Sequence, residues 1–259
     1  MKLPDIYIIG SGNIASHLAE QFTKQNLPLK GLFARNQKEG KQICRKNKIQ
    51  FLKSLPLAEG DQSVIFCCIS DDAISTCIDN LRQMDALIVH CSGIKQIPER
   101  KQGDLCRFGV FYPVISFSKN IPVNWTDVPV CIEASDQISF RVLKNISKKI
   151  KGRPYSIQSE ERAIIHLSAV FVNNFTNMMY ITAEKILFDH QLSFELLKPL
   201  VSQTAEKAMK SKPNLVQTGP ARRGDKKTIR AHRRLLAGNP DILKVYNNLT
   251  ALIYAKYHP

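Results

Sequence analysis

Residues 6–22 read IYIIGSGNIASHLAEQF. A short apolar run ends at Gly10, and an amphipathic stretch begins at Asn13. Between them Gly10, Ser11, Gly12, Asn13, Ile14 and Ala15 follow the pattern G-x-G-x-x-A. Each small residue has a physical job where a strand turns into a helix over a nucleotide. Gly10 permits the tight exit from the strand, Gly12 lets the backbone approach a pyrophosphate, and Ala15 lets the helix pack on the strand. The helix amino terminus adds unpaired N–H groups and positive potential. The pattern alone is a weak signal. Its setting strengthens it: a buried strand before, a helix after, and a second strand, LKGLFA, after that. We read the stretch as a pyrophosphate cradle rather than as a bare strand–helix turn.

The second strand ends at Leu32-Phe33-Ala34-Arg35-Asn36, about twenty residues past the glycines. A site for NAD would place Asp or Glu at this tip to bind the ribose hydroxyls. Here the tip offers Arg35 and Asn36, with Lys38 close by. An arginine there can stack on adenine and pair with a 2′-phosphate, so the expected cofactor is NADP.

The same alternation continues along the chain. SVIFCCIS, ALIVHCS, CRFGVFYP and VPVCIEAS read as strands, Asp136 to Ile150 as a helix, and GRPYSI as a last short strand. Buried β-branched runs separated by helices predict an α/β fold, a doubly wound, mostly parallel Rossmann sheet. From Ser159 onward only helices are expected. Ser159 is read as the N-cap of one long helix running to about Leu187. Ser193, Asp225 and Asn239-Pro240 are read as starts of later helices, with Pro213 and Gly219-Pro220 in a loop. The expected division is a dinucleotide-binding domain over residues 1–157 and an all-α domain over 158–259.

The chain has 259 residues and a formal net charge of +15. Ten basic residues and one acidic residue lie between Lys207 and Arg234. Aromatic residues do not interleave with them, and Ile229, Leu235 and Leu236 spend part of that stretch on packing. The charge is therefore read as a solvated surface rather than a nucleic-acid interface. Seven cysteines, an odd number with no C-x-x-C pair, argue against a disulfide framework and against a zinc site, so no metal is expected. No apolar run is long enough to span a bilayer. The expectation is a reduced, cytoplasmic protein with no membrane partner.

GSGNIA, the Ala-Arg-Asn tip and SVIFCCISDDAI resemble pyrroline-5-carboxylate reductase and the deazaflavin-dependent NADP oxidoreductases. Four later motifs are more specific. They are Val89-His90-Cys91-Ser92-Gly93, Gly109-Val110-Phe111-Tyr112-Pro113 with Phe117-Ser118-Lys119, His166-Leu167-Ser168-Ala169-Val170-Phe171 leading to Asn174-Phe175, and Thr218-Gly219-Pro220-Ala221-Arg222-Arg223-Gly224-Asp225. Together they resemble Rossmann-like NADP oxidoreductases whose helical C-terminal half is a domain of unknown function. The likeness covers nearly the whole chain. It extends to the 6-phosphogluconate dehydrogenase-like group, which implies homodimers built through the helical domain. The chain departs from these relatives at three points. Tyr112-Pro113 stands where many members have His-Pro, and Ile115-Ser116 where they tend to have Gln-Thr. Val170 stands four residues before Asn174, where related hydroxyacid dehydrogenases carry a catalytic lysine.

Ligands of such sheets bind at the carboxyl ends of the strands. Ser70, Asp71 and His90 are therefore candidates for holding the cofactor, Ser92 for its carboxamide or the substrate, and Tyr112 for the substrate. On the long helix His166 and Asn173 are seven apart and so about 20° apart on one face, with Asn174 about 80° away. His166 is the candidate proton carrier and Asn174 the candidate orienting amide. Arg223 could hold a substrate carboxylate, while Asp225 is read as its ion-pair partner or as a helix cap. The expected function is NADPH-dependent reduction of a small polar C=O or C=N substrate held between the domains. The alternative is a non-catalytic NADP-binding or redox-sensing protein, a reading motivated by Val170.

Overall fold

The computed structural model describes residues 3–54, 63–119 and 121–259. The first element, β1 (Ile6–Ile9), is followed by α1 (Asn13–Lys24), β2 (Leu29–Phe33), α2 (Gln37–Asn47) and the two-residue β3 (Gln50–Phe51). Then come β4 (Ser63–Cys67), α3 (Asp71–Asp79), β5 (Ala86–His90), β6 (Arg107–Pro113), β7 (Pro129–Ala134), α4 (Gln137–Lys149) and β8 (Arg153–Ser156). The strands form one sheet in the order β3-β2-β1-β4-β5-β6-β7-β8. All pairings are parallel except β6 with β7. The expected Rossmann sheet is therefore present. β3 and α3 are additions that the sequence pattern did not single out.

The order reverses at β1 and β4. One chain direction winds outward through β2 and β3, and the other through β5 and β6, so the connecting helices fall on opposite faces. One core cluster joins α1, α2 and α4 to the sheet, and the other joins α3 to it. In the first, Phe22 of α1, Phe66 of β4 and Phe111 of β6 stack edge-on at 5.2 Å and 5.5 Å. Each such pair adds about 0.5–1.5 kcal/mol beyond area burial.

At the reversal Gly10 is fixed by two independent constraints. Its φ is +126°, and a Cβ would lie 2.1 Å from the Cys68 carbonyl oxygen. Its N–H donates to Phe33 O at 2.8 Å, while Cys68 N–H donates to Ile9 O at 2.8 Å. Three strand ends therefore converge on one residue that can have no side chain.

After β8 the chain is helical. α5 (Ser159–Ala169) and α6 (Thr176–Asp189) are joined by a π-helical turn at Val170–Phe175. The long helix expected from Ser159 to about Leu187 is thus present as one continuous helical run to Asp189, but its α pattern gives way to a π turn in the middle. A π turn takes more residues than an α turn, so the 20° and 80° angles drawn from His166 do not carry through to Asn173 and Asn174. The expected cap also shifts by one residue. Gln158 is the N-cap, its N–H donating to Glu161 Oε2 at 3.0 Å, and the Ser159 hydroxyl is used elsewhere.

The chain divides into compact units of Met1–Asn174 and Phe175–Pro259. Strands end at Ser156, but α5 counts with the sheet because its side chains bond to β6 and β7. In the second unit a 3-10 turn at Phe194–Leu197, capped by Ser193, leads into α7 (Lys198–Lys210). α8 (Pro213–Val216) and α9 (Pro220–Arg223) are single turns where a loop was expected, followed by α10 (Lys226–Leu235) and α11 (Pro240–Tyr257). Basic residues here are partly consumed in packing. The Arg222 guanidinium lies 5.1 Å from the centre of the Tyr257 ring, and Arg233 Nε donates to Asn247 Oδ1 at 2.8 Å. No helix among the described residues is long and apolar enough to cross a membrane.

Candidate active site

The cleft at the strand reversal is a cavity of about 1060 Å³. Its lining includes Gly10, Ser11, Gly12 and Ile14 from the first turn, Arg35 and Asn36 from the β2 tip, and Ser70 from the β4 end. Cys77 on α3 faces the same space. Gly12 is unlike Gly10. Its φ is −75°, which any residue adopts, and a Cβ there would meet nothing within 4 Å. Nothing in the chain itself demands glycine at this position. A ligand that must reach the backbone would demand it. α1 also has no side-chain cap and no acidic residue in its first turn, so its N–H groups and dipole are left to an anion. The residues present therefore fit a bound pyrophosphate.

The neighbouring candidates divide by role. Arg35 stands exposed at the cavity rim. Asn36 Oδ1 accepts Glu39 N–H at 3.2 Å, so its side chain caps α2. Ala15 is fully buried against the strand. Asn13 Nδ2 donates to Phe117 O at 2.9 Å, and His17 Nε2 donates to Ser118 O at 3.1 Å. These bonds tie the loop after β6 to α1, which gives the Phe117-Ser118-Lys119 motif a structural use. Ser70 is the N-cap of α3 by position and makes no side-chain capping bond, and Asp71 occupies the first turn behind it.

A second group gathers where β5, β6 and α5 meet. Tyr112 Oη lies 3.0 Å from His166 Nδ1, with the rings edge-on. Gly93 lies directly beneath that imidazole, for a Cβ there would be 2.6 Å from His166 Cγ and Nδ1. Ser92 Oγ accepts the N–H groups of Ile94 and Lys95, so it shapes the turn and keeps one proton to donate. His90 was expected to meet the cofactor, but it is only 1% exposed and both ring nitrogens are used within its own loop. Its Nδ1 accepts Ser92 N–H at 3.2 Å, which leaves the proton on Nε2 to donate to Gln96 O at 3.3 Å. Burial, helped by the Arg162 charge, pushes its pKa down to about 4 and keeps the ring neutral.

Behind this group lies a buried charge pair. Arg162 is 0% exposed. Its Nη1 donates to Glu133 Oε2 at 2.5 Å, and its Nη2 donates to Lys95 O and to Ser159 Oγ. Ser159 Oγ in turn donates to Glu133 Oε2 at 2.7 Å. The guanidinium thus clamps α5 to β7 and to the loop that carries Gly93, one helical turn from His166. The signal for it was present in the sequence. Glu133 is an acid inside an apolar strand, and such an acid is buried only with a partner.

Within the first unit, Asn173 and Asn174 make no described bond to this group. Asn173 and Asn174 are exposed in the π turn, with Asn173 Nδ2 3.5 Å from Asn174 Oδ1. Arg223 is exposed at the end of α9 in the second unit. Its expected ion pair with Asp225 is not among the described pairs. The Asp225 carboxylate accepts Thr228 N–H at 3.0 Å and Thr228 Oγ1–H at 2.6 Å, and these bonds hold its pKa below the ordinary range. Asp225 is thereby the N-cap of α10.

Arg162→Met should cost about 3–5 kcal/mol of stability in urea unfolding, because Glu133 stays buried without its partner. Adding Glu133→Leu should restore most of that loss. A loss below about 1 kcal/mol for the single change would mean that the pair does not support the fold.

Comparison with known proteins agrees with this architecture. Residues 128–253 match the domain of unknown function DUF2520. No curated protein matches the sequence. A Bacteroides fragilis protein described as a candidate NADP oxidoreductase shares 30% identity, with 98% of this chain and 99% of that one covered and a TM-score of 0.86. A Thermotoga maritima protein is 21% identical over 97% of this chain and 98% of its own, with a TM-score of 0.69. The Aspergillus terreus reductive aminase, solved with NADPH and ethyl-5-oxohexanoate, is 11% identical over 97% and 92%, with a TM-score of 0.66. The last two likenesses are of fold alone. With the cradle, the sheet order and the full-length match to the Bacteroides chain in place, this chain belongs to the family of Rossmann-like NADP oxidoreductases that carry the DUF2520 domain.

Proposed function

We propose that the protein is an NADPH-dependent reductase of a small polar C=O or C=N substrate. The observation that carries this reading is Gly12, a glycine that the fold itself does not need, at the uncapped start of α1. The aminase of the same fold was solved with NADPH, and the Bacteroides relative carries NADP in its description. Gly10 to Ala15 would hold the pyrophosphate on the N–H groups of α1, and Arg35 would pair with the 2′-phosphate. When bound, NADPH supplies the hydride.

Tyr112 supplies the proton in this reading. Burial raises its pKa, so the phenol keeps its proton at neutral pH. With the proton of His166 on Nδ1, the imidazole donates to the phenol oxygen and turns the Tyr112 O–H outward to a ligand. The phenolate left by proton transfer would then be stabilised by that N–H and by the nearby Arg162 charge, which already opposes the effect of burial. Gly93 lets the ring sit at this distance. His90 and Ser92 hold the loop rather than the substrate. Asn173, Asn174 and Arg223 stay as candidate substrate contacts, suited by their exposed polar ends to a carboxylate or amide.

The helical unit is proposed as a homodimer interface. Phe188, Leu196, Met209 and Leu252 are each at least two-thirds exposed in the single chain. A soluble monomer rarely leaves so much large apolar surface on one unit, and a second copy of the same unit would cover it.

Four outcomes are expected. In titrations followed by nicotinamide fluorescence, Gly12→Ala should abolish NADPH binding with an unchanged melting temperature, whereas Gly10→Ala should lower the melting temperature. Arg35→Asp should remove a preference for NADPH over NADH, and no binding by the unaltered protein would end the reading. With a substrate found in a panel of carbonyls and imines, Tyr112→Phe should lower kcat by about 10²–10⁴-fold with cofactor binding intact. An unchanged kcat would return the proton to another donor. Sedimentation at micromolar concentration should give twice the mass of the chain, and a monomer would refute the interface.

A further inference from the structure

Two consecutive cysteines at the end of β4 each meet another thiol. Cys67 Sγ is 3.8 Å from Cys77 Sγ on α3, and Cys68 Sγ is 3.9 Å from Cys91 Sγ after β5. Side chains alternate along a strand, so the two pairs lie on opposite faces of the sheet. The pairs differ in surroundings. Cys68 and its partner pack against the core around β1, α1 and β5. Cys77 is half-buried and lines the cavity at the strand reversal, with Cys67 wholly buried behind it.

We propose that Cys77 and Cys67 are a peroxide-sensitive thiol pair whose oxidation to a disulfide closes the cofactor cleft. Three observations support it. The cavity admits a small oxidant to Cys77. The two sulfurs are already in van der Waals contact. Cys77 is the half-buried sulfur that the cavity reaches, and once it is a thiolate the wholly buried Cys67 thiol can donate to it, which lowers the Cys77 pKa while burial and that bond raise the pKa of Cys67. Cys77 is therefore the attacking thiolate and Cys67 the resolving thiol.

The chemistry balances with one peroxide. The Cys77 thiolate attacks a peroxide oxygen, forming S–O and breaking O–O. Cys77 becomes a sulfenic acid, and the peroxide's other oxygen leaves as hydroxide and takes up a proton as water. The Cys67 sulfur then attacks Cys77, forming S–S and breaking S–O. The departing hydroxide takes the Cys67 proton as a second water. Two thiols and one peroxide give one disulfide and two waters.

Closing the sulfur gap from 3.8 Å to the S–S bond length of about 2.05 Å draws α3 against β4. Ala73, Thr76 and Asn80 of that segment line the cleft with Ser70, so its wall moves with the helix. This consequence rests on the cofactor reading above, whereas formation of the bond does not.

The test is hydrogen peroxide treatment of the reduced full-length protein, with non-reducing peptide mapping and NADPH titration before and after. A peptide joining Cys67 to Cys77, with NADPH binding weakened at least tenfold and restored by dithiothreitol, is expected. Cys67→Ser should leave Cys77 as a sulfenic acid trapped by dimedone, and Cys77→Ser should give no such adduct. A map showing only Cys68–Cys91, or free Cys77 under conditions that oxidise other thiols, would overturn the pair. A Cys67–Cys77 bond with unchanged NADPH affinity would overturn its effect on the cleft. If the reduced protein binds no NADPH at all, the cofactor reading fails, while the mapped peptide still decides the thiol pair.

Discussion

The close approach of Gly10 to the Cys68 carbonyl governs the rest of the first unit. At this point β1, β2 and β4 end together, and the chain leaves in two directions. A side chain would push β1 away from β4 and open the sheet at its centre. Without one, α1 and α3 can start close together on opposite faces, and the gap between their starts becomes the cleft. Gly12, two residues on, inherits that geometry. It sits where the helix N–H groups emerge and where no protein atom takes up the space.

The second centre depends on a charge rather than on a turn. Arg162 is fully buried, and a guanidinium survives there only with strong partners. Glu133, Ser159 and the Lys95 carbonyl supply them, although Arg162 Nε has no hydrogen-bond partner among the described residues. The clamp brings α5 to the sheet one turn before His166 and carries the Gly93 loop under the ring. The distance from Tyr112 to His166 therefore depends on a charge pair that makes no described hydrogen bond to either side chain. His90 serves the same loop from the other side by staying neutral, since a charged imidazole could not accept Ser92 N–H at Nδ1.

The helical unit obeys a different balance. Few of its described residues are buried, among them Ala221, Ile229 and Leu236, so it lacks a core of the kind that the sheet has. Local bonds do part of the work. Asp225 caps α10, and His232 bonds Tyr246 at 2.9 Å across to α11. The large apolar groups left at the surface explain why a partner is expected there.

Much of the fold was legible in the sequence because its signals are local. The strand–Gly–helix pattern, the alternating apolar runs and the caps at Ser193 and Asp225 each act over a few residues, and the backbone can hardly answer them in another way. The cleft residues Gly10, Gly12, Ile14, Arg35 and Ser70 followed from that pattern, since the reversal of strand order brings those ends together. What only the tertiary structure decided involves residues far apart in the chain. Arg162 needs Glu133, His166 needs Tyr112 and Gly93, and Cys77 needs Cys67, and no periodicity announces such meetings. The π turn at Val170–Phe175 also lay beyond the sequence pattern, because the extra residue in a turn leaves composition and amphipathicity almost unchanged. His90 shows the same limit from the other side. Its place at a strand end was readable, but its use was set by the loop that folds back over it.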